Sequence, residues 1–487
     1  MKKFNTEIEN LEFSIKKHIW SLASLIILSI TATLLLYFLP YVTLLVLGLL
    51  LFLFLIAEKE ENAFIVLFFI LVFFNHFRNV PTESTPIYDY RLFGLNIIEI
   101  IIIIFLAVYF SKFALRGEIK ISGSRFLLNK PILYFGFALV LASVIGLLFF
   151  GANLRMTFAQ LRPLSYVVIL YFLTIGFIKT KSQLNKVLWA IIVFTGLRAI
   201  HGMFLYFFDP ARQRAGGGSF TFVSHEAIFF MLILALGFIF ISSYSKKDWR
   251  LYTLLLVAIP TTFSFLFSFR RGAWLGIGFS FLITFMVLPK PAKLKLVRAG
   301  VPFLFLLLIM IVVLKGSVAL EHLVQRFVSM TATSKSISMA GYGVTVSNMY
   351  RIWETVNGLI SLKSYPIFGI GLGTEWPIYM PFRGISLPRF HFHNTWLSLW
   401  LKIGFWGILS FVWINWLFFK NGLKIGRTIK DQYYKSICLG LLIFMLSFDI
   451  SSLFIDWIYY YRSACFIGFV FGVMALLDKL TERGEIT

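Results

Sequence analysis

Apolar runs of about twenty residues recur along nearly the whole chain, and a run of that length is what a helix needs to cross the hydrocarbon core of a bilayer. No water-soluble core could bury so many of them. With 59% hydrophobic and 14% charged residues over 487 positions, the chain reads as an all-α polytopic membrane protein. Spans are expected at 19–38, 41–57, 63–77, 93–111, 131–150, 163–178, 187–207, 224–244, 250–269, 272–288, 299–315, 394–419, 436–455 and 460–478. The architecture is therefore about 12–14 transmembrane helices with one long extracytoplasmic loop. Residues 1–18 are charged and run into a span without an evident cleavage site, which reads as a retained helix rather than a signal peptide. Cys438 and Cys465 fall inside expected spans and define neither a disulfide framework nor a metal site.

A net charge of +23 would suggest nucleic acid in a soluble chain. In a polytopic one it follows from the excess of lysine and arginine in cytoplasmic loops, so no nucleic-acid partner is expected. Placing both termini in the cytoplasm puts Lys112–Lys130, Lys179–Lys186, Ser245–Arg250, Pro289–Arg298 and Lys420–Lys435 there, where most of the lysines then lie. The outward side is poor in lysine yet carries Arg155, Arg162, Arg212, Arg214, Arg270, Arg271, Arg326, Arg351, Arg383 and Arg389. Arginine's planar fork suits bidentate binding of phosphate or carboxylate, so an anionic ligand at the outer face is expected. The structural alternative for any one of them is snorkelling to lipid headgroups.

The long outward loop is 316–393. Its Thr331–Gly343 stretch is rich in small and polar residues and reads as mobile. Asn348–Lys363 then places Ile352, Val356, Leu359 and Ile360 at helical spacing, which predicts an amphipathic helix able to lie on the outer leaflet with Arg351 near its start. Pro366 with Gly369, Gly371 and Gly373 ends it in a tight turn. The glycine spacing is wrong for a dinucleotide loop, and close backbone packing is the expected role.

Where this excursion meets the next span stands Arg389-Phe390-His391-Phe392-His393-Asn394-Thr395-Trp396-Leu397. A histidine at such a mouth suits general acid-base work, so His393 is the leading catalytic candidate and His391 its competitor. The alternative is that His393 packs the helix start. Asn394 is an apt N-cap. Ser268–Ala273 sets Arg270 and Arg271 in a tight hairpin able to hold a diphosphate or to end two spans at the headgroups. Arg212 and Arg214 precede Gly216, Gly217 and Gly218, whose backbone can cradle phosphate oxygens without forming a P-loop. Glu99, Arg198, His201, Lys402, Asp449 and Asp456 are read as ionisable groups within spans, with interhelix pairing preferred for Glu99 and Asp449. Arg198 and His201 share one helical face.

His393-Asn394-Thr395-Trp396-Leu397, continuing to Gly404 and Gly407, resembles the His-Asn motif of the bacterial O-antigen ligase and polymerase superfamily. Arg351-Ile352-Trp353 and Pro366–Gly373 match the stretch that precedes it there, although the Trp here follows its Arg by two residues. Ser268–Ala273 is similar to the family's Ser-Arg-Gly hairpin, equating Arg271 with its arginine, and Arg214–Ala227 resembles the family's entry to an earlier span. The resemblance covers roughly 210–410. It departs at Lys402, where the family usually has glutamate. Three regions follow: N-terminal helices 1–207, a ligase/polymerase-like core 208–419, and C-terminal helices 420–487.

The resemblance implies a GT-C-like enzyme of the bacterial cytoplasmic membrane with its site on the extracytoplasmic side. It takes a glycan from an undecaprenyl-diphosphate carrier and passes it to a hydroxyl of lipid A-core, another glycan or a protein side chain, the last less expected because no protein-acceptor module is recognisable. No metal or other cofactor is required, because the lipid diphosphate is the leaving group. His393 is then the base, Arg271, Arg214 and Arg351 the principal diphosphate ligands with Arg270 and Arg212 beside them, and Arg198 and His201 deeper members of the cavity. His391 and Asn394 complete the substrate-contacting set. A transporter or flippase using Glu99, Arg198 and Asp449 as a polar path is the competing class, and a scaffold subunit of an envelope-polysaccharide assembly is a third.

Overall fold

The computed structural model describes residues 59–73, 97–116, 128–208, 226–244, 249–301, 305, 342–380, 385–390 and 392–486. The spans expected at 19–38 and 41–57, and most of 299–315 and Thr331–Gly343, lie outside the described residues. The chain divides into two compact units, Met1–Val66 and Leu67–Thr487. Of the first, only the opening turns of α1 are described. The second holds all the other described elements.

The helices are α1 (Glu60–Phe73), α2 (Ile97–Arg116), α3 (Asn129–Phe149), α4 (Leu154–Phe177), α5 (Lys181–Phe208), α6 (Ala227–Ser243), α7 (Trp249–Phe267), α8 (Arg271–Val287), α9 (Tyr342–Ser364), α10 (Thr395–Thr428), α11 (Gln432–Ser451) and α12 (Tyr461–Glu482). Seven of them, α3, α4, α5, α7, α10, α11 and α12, are long and apolar enough to cross a membrane, and shorter apolar stretches lie in α2, α6 and α8. The protein is an all-α polytopic membrane protein. A two-stranded antiparallel hairpin, β1 (Trp376–Met380) with β2 (Ile385–Arg389), is an addition in a stretch expected to be loop. Its Pro377 faces Pro388.

Several ends differ from expectation for local reasons. Helix α4 starts at Leu154 rather than 163, because the Asn153 side chain accepts from Arg155 N (2.8 Å) and caps it, leaving Pro163 inside the helix. Residues 290–298 are helical where a loop was expected. Helix α10 runs on to Thr428, beyond the expected 419.

In the interior, α12 is almost wholly buried and packs along α4. Gly468 and Gly472 are four residues apart and so share a face. A Cβ at Gly468 would meet Val167 O at 2.5 Å, and one at Gly472 would meet the Thr174 side chain at the same distance. Association inside a bilayer relies on such close backbone approach, since lipid is as apolar as leucine. Helix α8 packs on α11, and α3 on α10.

At one end of the bundle the chain is held by backbone rather than by side-chain mass. Gly404 has φ 72° and breaks α10. The two groups this releases are taken up by the loop after α9: Ile370 N donates to Leu401 O (2.8 Å) and Phe405 N donates to Ile367 O (2.8 Å). The same loop reaches α3, where Leu372 N donates to Ala142 O (3.0 Å), and α4, where Gln160 Oε1 accepts from Gly373 N (2.8 Å). Gly369, Gly371 and Gly373 all have positive φ, which is the close-packing role expected of them. Gly371 is the least replaceable, since a Cβ there would collide with the backbone of Gly146. We expect Gly371→Ala to cost about 3 kcal/mol or more, from strained φ and backbone collision together. Gly278→Ala in α8, with open space around its Cβ, stays within about 1 kcal/mol of the parent or gains. Thermal unfolding of the two purified variants in one detergent separates these outcomes.

Candidate functional site

Helix α9 has two faces, and they are the reverse of those of a soluble helix. Arg351, Glu354, Gly358 and Leu362 recur at three- and four-residue spacing and turn toward the protein, whereas Ile352, Leu359 and Ile360 are exposed. Gly358 makes the seat close, because a Cβ there would lie 2.7 Å from the Leu397 side chain. Beneath it Leu362, Ile370, Trp376, Ile378, Phe392, Leu397 and Leu401 form a small core of their own. The Asn357 amide fastens the helix to β1, donating to Tyr379 O (3.0 Å) and accepting from Tyr379 N (3.2 Å). Gln160 holds the other side, its Nε2 donating to Phe390 O (3.0 Å).

One turn before Gly358 this stripe brings Glu354 to His393. The backbone N of His393 donates to Glu354 Oε2 (3.0 Å), and His393 Nδ1 lies 2.9 Å from the same oxygen. The Glu354 side chain is 3% exposed and that of His393 is 43% exposed. A carboxylate accepting at Nδ1 leaves the proton of the neutral ring there and makes Nε2 the basic nitrogen. The buried end of the pair orients the ring, and the ring's other end is open. The Tyr350 ring stands edge-on to the imidazole, 6.0 Å between centroids.

The next residue fixes the ring in height. Asn394 caps α10, its Oδ1 accepting from Leu397 N (3.0 Å), as the sequence suggested. Thr395 ties this start to the loop between α11 and α12, with Thr395 N donating to Ser452 O (2.8 Å) and its Oγ1 to Ile455 O (2.7 Å). Phe454 and Ile455 of that loop also press on Gly272, where a Cβ would come within 2.9 Å of Phe454. The loop 452–460 therefore lies between the start of α8, with Arg270 and Arg271, and the start of α10, with His393. Asp456, read from sequence as intramembrane, belongs to this loop. It is 2% exposed and accepts from the Tyr460 hydroxyl (3.2 Å).

These residues form one charged patch. Burial lowers the pKa of Arg351, against the raising pull of the Glu354 and Asp456 carboxylates. Burial likewise raises that of the Tyr460 hydroxyl, reinforced by Asp456 and opposed by Arg270. Arg270, Arg351, His393 and Asn394 are thus gathered at one end of the bundle, with Arg271 opening α8 beside them. Arg212, Arg214, His391, Arg326 and Arg383 lie outside the described residues, as does the side chain of Arg389. Among the described residues no group of three or more His, Cys, Asp or Glu is arranged to hold a metal ion.

The other charged candidates are engaged elsewhere. Glu99 pairs with Arg162, the interhelix pairing favoured for it. Arg198 NH2 donates to Glu226 Oε1 (2.9 Å), and its NH1 lies 3.1 Å from His201 Nδ1. Arg462 shares the same Glu226 oxygen at 3.4 Å and also donates to Val72 O (2.9 Å). Among the described residues, Asp449 Oδ1 is buried without a hydrogen bond. Lys402 is fully buried and its Nζ donates to Thr374 O, beside Gly373, so it fastens the glycine loop to α10.

Sequence reasoning passed over Glu354, Gln160, Glu226 and Arg462. Glu354 had a legible signal, since it lies three residues after Arg351 on the polar side of a helix whose apolar side was recognised. The others pair across 28 or more positions of sequence and leave no local pattern.

Fold and site together define a polytopic membrane protein whose candidate chemical groups converge at one end of its helices. Residues 256–412, from within α7 to within α10, match the family model for O-antigen ligase. Over that stretch the chain is similar to the O-antigen ligase family. No curated protein matches the chain. Arg270, Arg271, Arg351, Glu354 and His393 lie inside the matched stretch, whereas Asp456, Glu226 and Arg462 lie outside it. Removing Glu226 tests the deep cluster: Glu226→Ala leaves two buried guanidinium groups without their shared carboxylate and should cost about 3–5 kcal/mol. It is read as a lower thermal midpoint, and a midpoint unchanged from the parent would show that the three residues are not a structural clasp.

Proposed function

We propose that the chain is an integral-membrane glycosyltransferase, ligase or polymerase, that moves a glycan from an undecaprenyl-diphosphate carrier to an acceptor hydroxyl at the extracytoplasmic face of the cytoplasmic membrane. The observation that carries this reading is the His393–Glu354 pair, one end buried and one end open, beside Arg351 and within the matched domain.

In this reading His393 Nε2 removes the proton of the acceptor hydroxyl as that oxygen attacks the anomeric carbon of the bound glycan. The bond from that carbon to the diphosphate oxygen breaks, and undecaprenyl diphosphate leaves with the electron pair. The proton stays on His393 as imidazolium, whose new charge faces the Glu354 carboxylate. Arg351, Arg270 and Arg271 meet the charge on the departing diphosphate, with Arg214 and Arg212 as further ligands. Fixed cations aimed at a leaving group lower the barrier without reorganising in the reaction itself. Asn394 sets the ring's height through its cap, and Arg198 and His201 belong to the deeper wall. The acceptor is a further glycan or lipid A-core.

A transporter would need Glu99 and Arg198 free to line a path. Their engagement with Arg162 and Glu226 favours fixed interhelix clasps instead.

The test follows the lipid-linked donor and the transferred product together in membranes. His393→Ala should lower transfer by about 10²-fold or more, with donor accumulating. Glu354→Gln, which keeps an acceptor for the ring but not its charge, should fall between that variant and the parent, mainly in kcat rather than KM. Undiminished product from a stably expressed His393→Ala protein would remove this histidine from the chemistry and sink the proposal.

A further inference from the structure

The outward face of α9 is apolar, and its neighbours show what covers it. Ile352, Leu359 and Ile360, with Ile367 and Phe368 of the following turn, are 50–60% exposed. In a soluble protein a patch of this kind would be a liability. Here it adjoins the exposed apolar sides of two membrane-crossing helices. The Tyr365 ring stands 5.2 Å from Phe150, at the end of α3, where Leu148 and Phe149 are also exposed. Ile367 O accepts from Phe405 N, and Phe405 and Trp406 expose their rings at the break in α10. The lipid-facing surface of α3 and α10 therefore continues onto the turn and onto α9. Lys363 stands exposed at the far end of the helix, able to lay its stem on the apolar face and raise its ammonium to lipid phosphates.

We propose that α9 and the 365–368 turn lie within the lipid leaflet at this end of the bundle, and that this seating sets the depth of Glu354 and Arg351 on the opposite face. An interfacial helix sinks its apolar face about 5–10 Å into the boundary between headgroups and acyl chains. A helix is about 10 Å across. Its upper face, with Glu354 against His393, then stands at the level of the lipid phosphates, where a lipid-linked diphosphate presents its own. The depth half of this inference rests on the glycosyltransferase reading, whereas the seating does not.

The experiment uses the full chain in vesicles of phosphatidylcholine and phosphatidylglycerol. The native cysteines Cys438 and Cys465 are free and buried, so a single introduced cysteine takes a fluorescent nitrobenzoxadiazole label selectively. Labels on Ile360→Cys and on Ser386→Cys, an exposed position of β2, are compared. The first should be quenched several-fold more by shallow doxyl-phosphatidylcholine than the second, and iodide should show the reverse order. Equal access of iodide to both overturns the seating. Protection of the Ile360 label from both quenchers also overturns it, because a protein partner or a second copy would then cover the face. A second arm puts lysine at Leu359 and Ile360 together. Transfer should fall several-fold with an unchanged thermal midpoint, and undiminished transfer would overturn the claim that seating sets the depth of the site. If the unaltered protein transfers nothing while the quenching holds, the glycosyltransferase reading fails and the seating stands.

Discussion

A helix that breaks inside a membrane exposes backbone groups that no water can satisfy, and each orphan costs several kcal/mol. The break at Gly404 in α10 is answered by the loop after α9, whose Ile370 N and Ile367 O take the places of the lost helical partners. The rest of this end depends on that exchange. It fixes the loop to α10, and the loop's glycines then allow it to approach α3 and α4 to backbone distance. Lys402, from the helical half before the break, adds a bond to Thr374 O. The half-helix that begins with Asn394 is thereby held against a stiff, hydrogen-bonded ribbon, and the residue just ahead of its cap inherits that stiffness. That residue is His393.

Charge is distributed by the same economy. Each buried ion meets an opposite one or a set of carbonyls wherever its role is to join helices. Glu99 with Arg162 and Glu226 with Arg198 and Arg462 are of this kind. Two guanidinium groups around one carboxylate leave a positive excess, and Arg462 disposes of part of its own by donating to Leu71 O and Val72 O at the described end of α1. At the His393 end the Glu354 and Asp456 carboxylates both draw on Arg351, and Glu354 also serves His393.

What was legible in the chain was whatever has a period or a motif. Membrane-crossing character followed from runs near twenty residues, and the amphipathic helix from Ile352, Val356, Leu359 and Ile360, all four of which fall on α9. The His-Asn pair carried the family resemblance, and the match over 256–412 agrees with it. Asn394 was recognisable as a cap because a cap is a local event. Glu354 was passed over although it follows Arg351 by three residues on the polar side of the helix, because what gives it meaning is a partner 39 residues away. Asp456 was grouped with the intramembrane charges although it falls between the spans expected at 436–455 and 460–478. The hairpin was missed because two five-residue strands containing Pro377 and Pro388 carry little strand signal. The extension of α10 to Thr428 was lost because hydropathy fades at Lys420, Lys424 and Arg427 while helical propensity does not.

The burial of Glu354 ties the site to the fold. A carboxylate almost out of solvent is tolerated only while it is paired and hydrogen-bonded, and here one oxygen takes both the backbone N–H and the ring of His393. Neither donor is in place until α10 has its cap, the glycine loop fills the Gly404 break and α9 seats Gly358 on Leu397. Until then Glu354 would be a desolvated charge without partners, so α9 gains little by docking early. Docking of α9, closure of the loop and alignment of the histidine are therefore one cooperative event rather than three. The chain cannot present an oriented ring on a half-formed end, and a lesion in the loop far from the imidazole acts on the imidazole all the same.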